Sequence, residues 1–403
     1  MVISKEKIKF TLVSRWAFPY HQGGIPMHNY YLLKLLKDGM DIALISSQIE
    51  QNDSYYSKKH INFNGISAYL PLIYWRLAKN KILQNGLRSL QDWRISLAMA
   101  KAIKSRSTDV IEFMDIHSEG YAYLRQNPRK NRKTKVIIRS HTPWGLLRSY
   151  YSNEERQGFD GWWSFDRENY CFQTCDAITV PSRDLKNHLI KLYNLPEEKI
   201  TVIPNIVDTN HFMPLPKTRD DDPYTILHVG RLERAKGVIT LIKAFIEFAK
   251  VYKECKLIIV GQARRSSYEH YLRLLKNADM VEKVKFSGFV PYEDLPGCYA
   301  KADAVIVASE IYESFSYTVA QAMACYKPVI ASRIGGIPET LDFGRYGFLF
   351  QPGKADDLLG MLRYVYENTD KVKDISKRAN DYAVNKFSLE KLAPIYKDYY
   401  QRQ

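Results

Sequence analysis

The chain is expected to fold as an α/β protein built from two doubly wound domains. Three observations lead there. Short runs rich in Val and Ile, such as residues 304–308 and 328–331, suit strands buried on both faces of a parallel sheet. Between such runs the apolar residues recur at helical spacing, as in Leu241, Ala244, Phe245, Phe248, Ala249 and Tyr252. The alternation of strand and helix appears on both sides of one Pro- and charge-rich stretch, residues 213–223, which reads as the domain boundary. A length of 403 residues fits two domains, each able to bury a good core.

In the first half, residues 9–14 read as a strand that runs into a loop with Gly23-Gly24. Residues 25–36 follow as a helix, with Leu32, Leu33, Leu35 and Leu36 on its apolar face. Gly39 ends the helix and residues 41–45 form the next strand. A strand, a glycine loop and a helix can bring backbone N–H groups close to phosphate or sugar oxygens. Further strands are expected at 109–112, 135–139, 177–180 and 201–204, with Ser182 capping a helix through Leu192. Asp115, His117 and Glu119 follow one of these strands. His141 stands at the C-terminal end of another, the side where open α/β sheets meet their ligands.

The second half carries the stronger chemistry. After a strand at 225–229 come Gly230, Arg231, Lys236 and Gly237. Two cations on a strand-end loop beside a helix N-terminus make an anion site of the strength a diphosphate requires. Strands at 256–261 and 284–288 follow, then a helix opened by Pro291. Glu313 lies in the loop after the 304–308 strand, just ahead of a helix whose first turn is expected near Ser314. Gly335-Gly336 forms a second glycine loop.

The net charge of +15 is uneven: residues 1–200 carry +11 and residues 201–403 carry +4. A basic first half suggests a polyanion such as anionic lipid, nucleic acid or acidic glycan. Residues 69–106 join aromatic residues to Arg76, Lys79, Lys81, Arg88, Arg94, Lys101, Lys104 and Arg106, against the single acid Asp92. That mixture suits a membrane interface, and the basic loop 125–135 could add to it. No apolar run approaches the roughly 18 residues of a spanning helix. The charged start does not read as a secretory signal. The five cysteines suggest neither a disulfide frame nor a zinc site. The expectation is a cytoplasmic protein, peripheral on the inner face of the membrane. The basic stretches lack a recognisable nucleic-acid module, so nucleic acid is not expected as a partner.

With these residues assembled, the chain resembles the family-4 retaining glycosyltransferases of the GT-B fold, nearly end to end. Gly230-Arg231 with Lys236-Gly237 looks like that family's diphosphate motif, and Ser287-Gly288-Phe289-Val290 like its base-contacting loop. Tyr312-Glu313-Ser314-Phe315 and Ala322-Met323-Ala324 match its paired-acid motif. Gly23-Gly24 and residues 139–143 match its N-terminal loops. The chain departs from the pattern in three places. Gln321 replaces the second acid, which in the family contacts the nucleotide ribose. Ile206 and Tyr326 stand where glycines are usual.

The resemblance implies two Rossmann-like domains facing across a cleft, with an acceptor domain at 1–212 and a nucleotide-sugar domain at 213–385. A C-terminal helix at 386–403 would cross back to the first. It implies transfer, with retention, from a UDP- or GDP-sugar to a glycan or lipid-linked acceptor, as in bacterial-type surface polysaccharide synthesis. Glu313, Arg231, Lys236 and His141 would serve catalysis. Gly23, Gly24, Gly230, Val290, Ser314, Phe315, Ser316 and Gln321 would hold the donor. No metal and no cofactor beyond the co-substrate are implied. Two rival expectations are a non-catalytic GT-B binding subunit, which Gln321 favours, and a nucleic-acid binder, which the charge favours.

Overall fold

A computed structural model describes residues 7–16, 18, 23–46, 57–60, 87–150, 158–216 and 223–402. Among them the strands form two sheets whose neighbours all pair in parallel. The first contains β1 (Lys9–Val13), β2 (Asp41–Ser46), β3 (Ser57–His60), β4 (Val110–Met114), β5 (Lys135–Arg139), β6 (Ala177–Val180) and β7 (Ile200–Val202), in the order β3-β2-β1-β4-β5-β6-β7. The second contains β8 (Tyr224–Val229), β9 (Cys255–Val260), β10 (Val284–Gly288), β11 (Ala304–Val307), β12 (Val329–Ser332) and β13 (Phe348–Phe350), in the order β10-β9-β8-β11-β12-β13. Both orders are doubly wound: the winding reverses between β1 and β4 in one sheet and between β8 and β11 in the other.

The Val- and Ile-rich runs are central strands because helices cover both their faces. In β8, Ile226 packs with Leu241 and Phe245 of helix Val238–Val251, while its neighbour Leu227 packs on the other face with Val319 and Met323 of helix Tyr317–Ala324. The two-residue period of a strand sends successive side chains to opposite cores.

The chain divides into two compact units. One is Met1–Pro204 with Ala393–Gln403, the other Asn205–Leu392. The division falls eight residues ahead of the boundary expected from composition, and the reason is apolar packing. Phe212 meets the rings of Tyr292 and Tyr299 edge-on at 5.3 and 5.9 Å, and His211 donates from Nε2 to the Tyr292 carbonyl at 3.1 Å. The stretch after β7 is therefore second-unit core. Most of the Pro- and charge-rich stretch lies outside the described residues.

Helix Leu389–Gln401 ends the chain, and from Ala393 onward it belongs to the first unit. Tyr396 donates to the Pro204 carbonyl at 2.8 Å, and the Tyr400 ring meets Phe10 of β1 edge-on at 5.2 Å.

Among the described residues no helix is long and apolar enough to cross a membrane. Arg76, Lys79 and Lys81 lie outside the described residues, as does the side chain of Arg88. Helix Leu87–Ile103 exposes Arg94 and Lys101. Asp92 does not share that basic face, contrary to expectation. It is buried, because its carboxylate is claimed by Arg15 and His117, each at 3.1 Å. The basic loop is partly structural too: Arg132 and Arg129 pair with Asp176 at 2.6 and 3.1 Å.

Candidate active site

In the second unit the winding reverses between β8 and β11, where doubly wound sheets gather their ligands. Two loops leave the strand ends there, residues 230–237 and 309–316. Lys236 Nζ and the Ser309 hydroxyl both donate to Glu313 Oε1. Burial pushes the Glu313 carboxyl up, but the Lys236 charge and these hydrogen bonds outweigh it and hold the group below its ordinary value. Glu313 is thus an anion in a mostly buried place, with its side chain 12% exposed and that of Lys236 28%.

Glycine is required for this arrangement at two points. Gly237 has φ +65°, and a Cβ there would lie 1.8 Å from the Ala308 carbonyl oxygen at the end of β11. Gly335 has φ +56°, and a Cβ there would lie 2.2 Å from the Glu313 carbonyl oxygen, which accepts from the Gly336 N–H at 2.8 Å. The second glycine loop therefore lies on the backbone of Glu313 and fixes it. Glu310 ties the two strand-end loops together: its N–H donates to the Ala235 carbonyl at 2.8 Å, and its carboxylate accepts from Thr240 at 2.6 Å.

The helix after Glu313 begins at Tyr317, three residues later than the sequence suggests. Ser316 is extended, and its hydroxyl accepts from the Val319 N–H at 3.4 Å, so it caps the helix. Ser314 is buried in the loop ahead of the cap, and Phe315 packs edge-on against Phe387 at 5.4 Å. Gln321 is buried on this helix, where its Oε1 accepts from the Tyr299 hydroxyl at 3.0 Å. Gly230 closes β8 by donating to the Val260 carbonyl at 3.0 Å, and Val290 is half-buried just beyond β10.

Arg231 is not brought to the Lys236–Glu313 pair. Its side chain is 74% exposed and bonds to Glu233 at 3.3 Å. His228, which sequence reasoning passed over, is buried in β8. Its Nδ1 bonds the Ile306 carbonyl at 3.0 Å, while Nε2 makes no hydrogen bond among the described residues. Burial lowers its pKa to about 4.

In the first unit Gly23 precedes helix Gly24–Leu36 and Gly24 opens it; both are exposed. The His141 loop is held by two buried carboxylates. Asp115 accepts from the Ser140 hydroxyl at 2.7 Å and from the His141 N–H at 3.0 Å. Glu168 accepts from the N–H groups of Trp144 and Gly145 at 2.6 and 2.9 Å, and from the Tyr193 hydroxyl. Burial raises the Asp115 pKa to about 6 and the Glu168 pKa to about 8, although these hydrogen bonds pull the other way. Burial, with the Arg139 charge added, keeps His141 well below its ordinary pKa, so its ring is neutral. Its Nε2 makes no hydrogen bond among the described residues.

At the reversal between β1 and β4, Arg15 donates to Asp92, whose other oxygen meets His117. The Arg15 N–H donates to Glu119 at 3.0 Å. Burial would raise Asp92, but His117 and the two arginines near it bring it down to about 2; burial lifts Glu119 to about 8. His117 and Ser118 both have left-handed backbone, at φ 57° and 54°. Nothing in the local sequence around Arg15 announces this cluster. It forms because a residue just past the end of β1 meets helix Leu87–Ile103, far along the chain. Among the described residues no three His, Cys, Asp or Glu side chains are grouped to hold a metal ion.

Comparison with known proteins places the molecule in a class. The profile described as Glycosyltransferase Family 4 matches residues 22–211, and that described as Glycosyl transferases group 1 matches residues 214–382. The fold is that of the sucrose-phosphate synthase of Thermosynechococcus elongatus, with a TM-score of 0.80 at 20% identity, covering 98% of this chain and 99% of that one. It is also that of the Anabaena protein HepE solved with UDP, with a TM-score of 0.72 at 18% identity, covering 98% and 100%. These are GT-B glycosyltransferase structures. An uncharacterized glycosyltransferase of Methanocaldococcus jannaschii is 29% identical over 392 residues, 90% of this chain and 93% of that protein. The chain belongs to the family-4 glycosyltransferases.

Proposed function

We propose that this chain moves a sugar from a UDP- or GDP-sugar to a glycan or lipid-linked acceptor, with retention of the anomeric configuration. The observation that carries the reading is the Lys236–Glu313 pair at the strand reversal of the second unit, held by Ser309, Gly237 and Gly335. A nucleoside diphosphate leaves with at least two negative charges. Lys236, with Arg231 swinging in from its exposed position, stabilises that charge as the glycosidic bond stretches. Glu313 accepts hydrogen bonds from sugar hydroxyls and fixes the donor's pose. Gln321 stands toward the ribose, Ser314, Phe315 and Ser316 toward the diphosphate, and Val290 toward the base. In this reading the second unit binds the nucleotide of the donor, and the first, with His141 on its strand-end loop, receives the acceptor. The cations meet the leaving charge, so the reading assigns no metal, and turnover is expected to survive EDTA.

Donor protection against thermal unfolding tests the reading. A ligand at a hundred times its dissociation constant adds about 2.7 kcal/mol to stability. UDP or GDP should raise the melting temperature of the wild type, and much less that of the Lys236→Ala variant. Absence of protection by either nucleotide, together with no hydrolysis or transfer of any UDP- or GDP-sugar, would overturn it.

The acceptor reading rests on the basic first half. Each Lys or Arg near an anionic surface contributes about 1 kcal/mol, and salt screens it. Exposed Arg94 and Lys101, with the basic residues of 76–88, would hold the protein reversibly to the membrane that carries a lipid-linked acceptor.

A further inference from the structure

Beneath the His141 loop lies a buried polar core that the transfer reading does not use. Glu112 of β4 is wholly buried, as are His28 of helix Gly24–Leu36, Arg139 of β5, and Tyr396 and Tyr400 of the C-terminal helix around it. Among the described residues the charged and titratable groups that face Glu112 are His28, Arg139, Tyr396, Tyr399 and Tyr400. The Tyr400 hydroxyl donates to Glu112 Oε2. Oε1 makes no hydrogen bond among the described residues, and His28 Nε2 stands 3.9 Å from it. The His28 ring in turn meets the His141 ring edge-on, with centroids 5.1 Å apart and planes at 73°. Three contacts thus lead from the C-terminal helix to His141.

A carboxylate in such a place is retained at a cost, since burying a charge without full pairing opposes folding. Burial lifts its pKa to about 7, with Tyr400 and Arg139 pulling against the rise. Its charge therefore changes near neutral pH. An ionised Glu112 favours a proton on His28 Nε2, while a neutral one does not, and the edge of the His28 ring carries that difference to His141.

We propose that Glu112 is a positioning residue for His141: acting through His28 it fixes the orientation and hydrogen-bonding state of the His141 ring, and Tyr400 of the C-terminal helix completes the device. The proposal rests on the reading of His141 as a residue of the reacting site, and the test separates the two.

The test follows the imidazole Cε1–H signals of His28 and His141 by NMR across pH 5–9, assigned with His28→Gln and His141→Gln variants. In the wild type both signals should share one inflection near the midpoint of Glu112. Glu112→Gln should abolish that inflection in both. Tyr400→Phe should move it to higher pH, because the hydroxyl that favours the carboxylate is gone. A His141 signal that keeps its wild-type profile in Glu112→Gln overturns the proposal. Where that variant does not fold, an unmoved midpoint in Tyr400→Phe does the same. If the signals couple as expected while His141→Gln turns over donor and acceptor at the wild-type rate, only the catalytic reading of His141 falls.

Discussion

At the scale of single residues, the Lys236–Glu313 pair is the most exacting feature. Removing Lys236 leaves a mostly buried carboxylate without its cation. Breaking such a pair costs about 3 kcal/mol, and losing a donor to the developing charge costs about a hundredfold or more in turnover. Lys236→Ala should show both, by denaturant titration and by steady-state rates; Arg231→Ala, exposed and paired with Glu233, should lose turnover alone. Because the folded pKa of Glu313 lies below its unfolded value, the pair stabilises the fold above the unfolded carboxylate pKa and loses that contribution as pH falls through the folded one. In Lys236→Ala burial dominates and raises the Glu313 pKa, so the variant's deficit should be largest at neutral pH and shrink as pH falls and the carboxyl takes up a proton. Gln321 tests the donor alignment. The Tyr299 hydroxyl can donate to a glutamate as well as to the glutamine it meets now. A charged acceptor adds on the order of 1 kcal/mol to a hydrogen bond, so Gln321→Glu should hold UDP or GDP as tightly or several-fold more tightly. Much weaker binding by calorimetry would show that Gln321 does not face the ribose.

At the scale of elements, what the sequence revealed and what it hid have separate physical causes. The strands were legible because a central parallel strand is apolar on both faces, and helix Val238–Val251 because its buried face repeats every 3.6 residues. The glycine loops and Glu313 were legible from their places after strands. The start of helix Tyr317–Ala324 was not, because the Ser316 cap two residues downstream takes the first turn's N–H and leaves Ser314 in the loop. Ser316→Ala should cost about 1 kcal/mol through the lost cap. The clamp on the His141 loop was hidden for a different reason. Glu168 reaches Trp144 and Gly145 from helix Phe159–Thr174, and no local pattern records that meeting. Arg15 with Asp92 is the same kind of case. Asp92 counted as the one acid of a basic stretch until burial showed it serving the interior.

At the scale of the whole molecule, the first unit stores four buried carboxyls with raised pKa values: Glu112 near 7, Asp115 near 6, and Glu119 and Glu168 near 8. Each binds a proton more tightly when folded than when unfolded. Their contribution is full below the unfolded carboxylate pKa and is lost as pH rises through about 6 to 8. The melting temperature of the first unit should fall over that range, and Glu168→Gln should flatten the fall by removing one of the four titrations. The same unit carries most of the positive charge. In sedimentation the protein should join anionic vesicles at low salt, leave neutral ones alone and come off at high salt. Replacing Arg76, Lys79, Lys81 and Arg88 by Gln should weaken the association; no sedimentation with anionic vesicles at low salt would remove the lipid-linked acceptor's support.

The return of the last helix to the first unit also governs how the protein is made. Tyr396 and Tyr400 are core residues of a unit whose strands are all synthesised before Asn205. A ribosome delivers those tyrosines only after the entire second unit has emerged. Domains tend to fold as they appear, N-terminal first, but here the earlier one must wait with Phe10 bare and Glu112 unanswered while the later one is completed. The second unit is the one able to fold as it is released, and the first becomes whole only once those tyrosines have emerged. A chain stopped by a nonsense codon ahead of Tyr396 would therefore carry a complete second unit beside an unfinished first one, and quality control would meet its exposed face at Phe10.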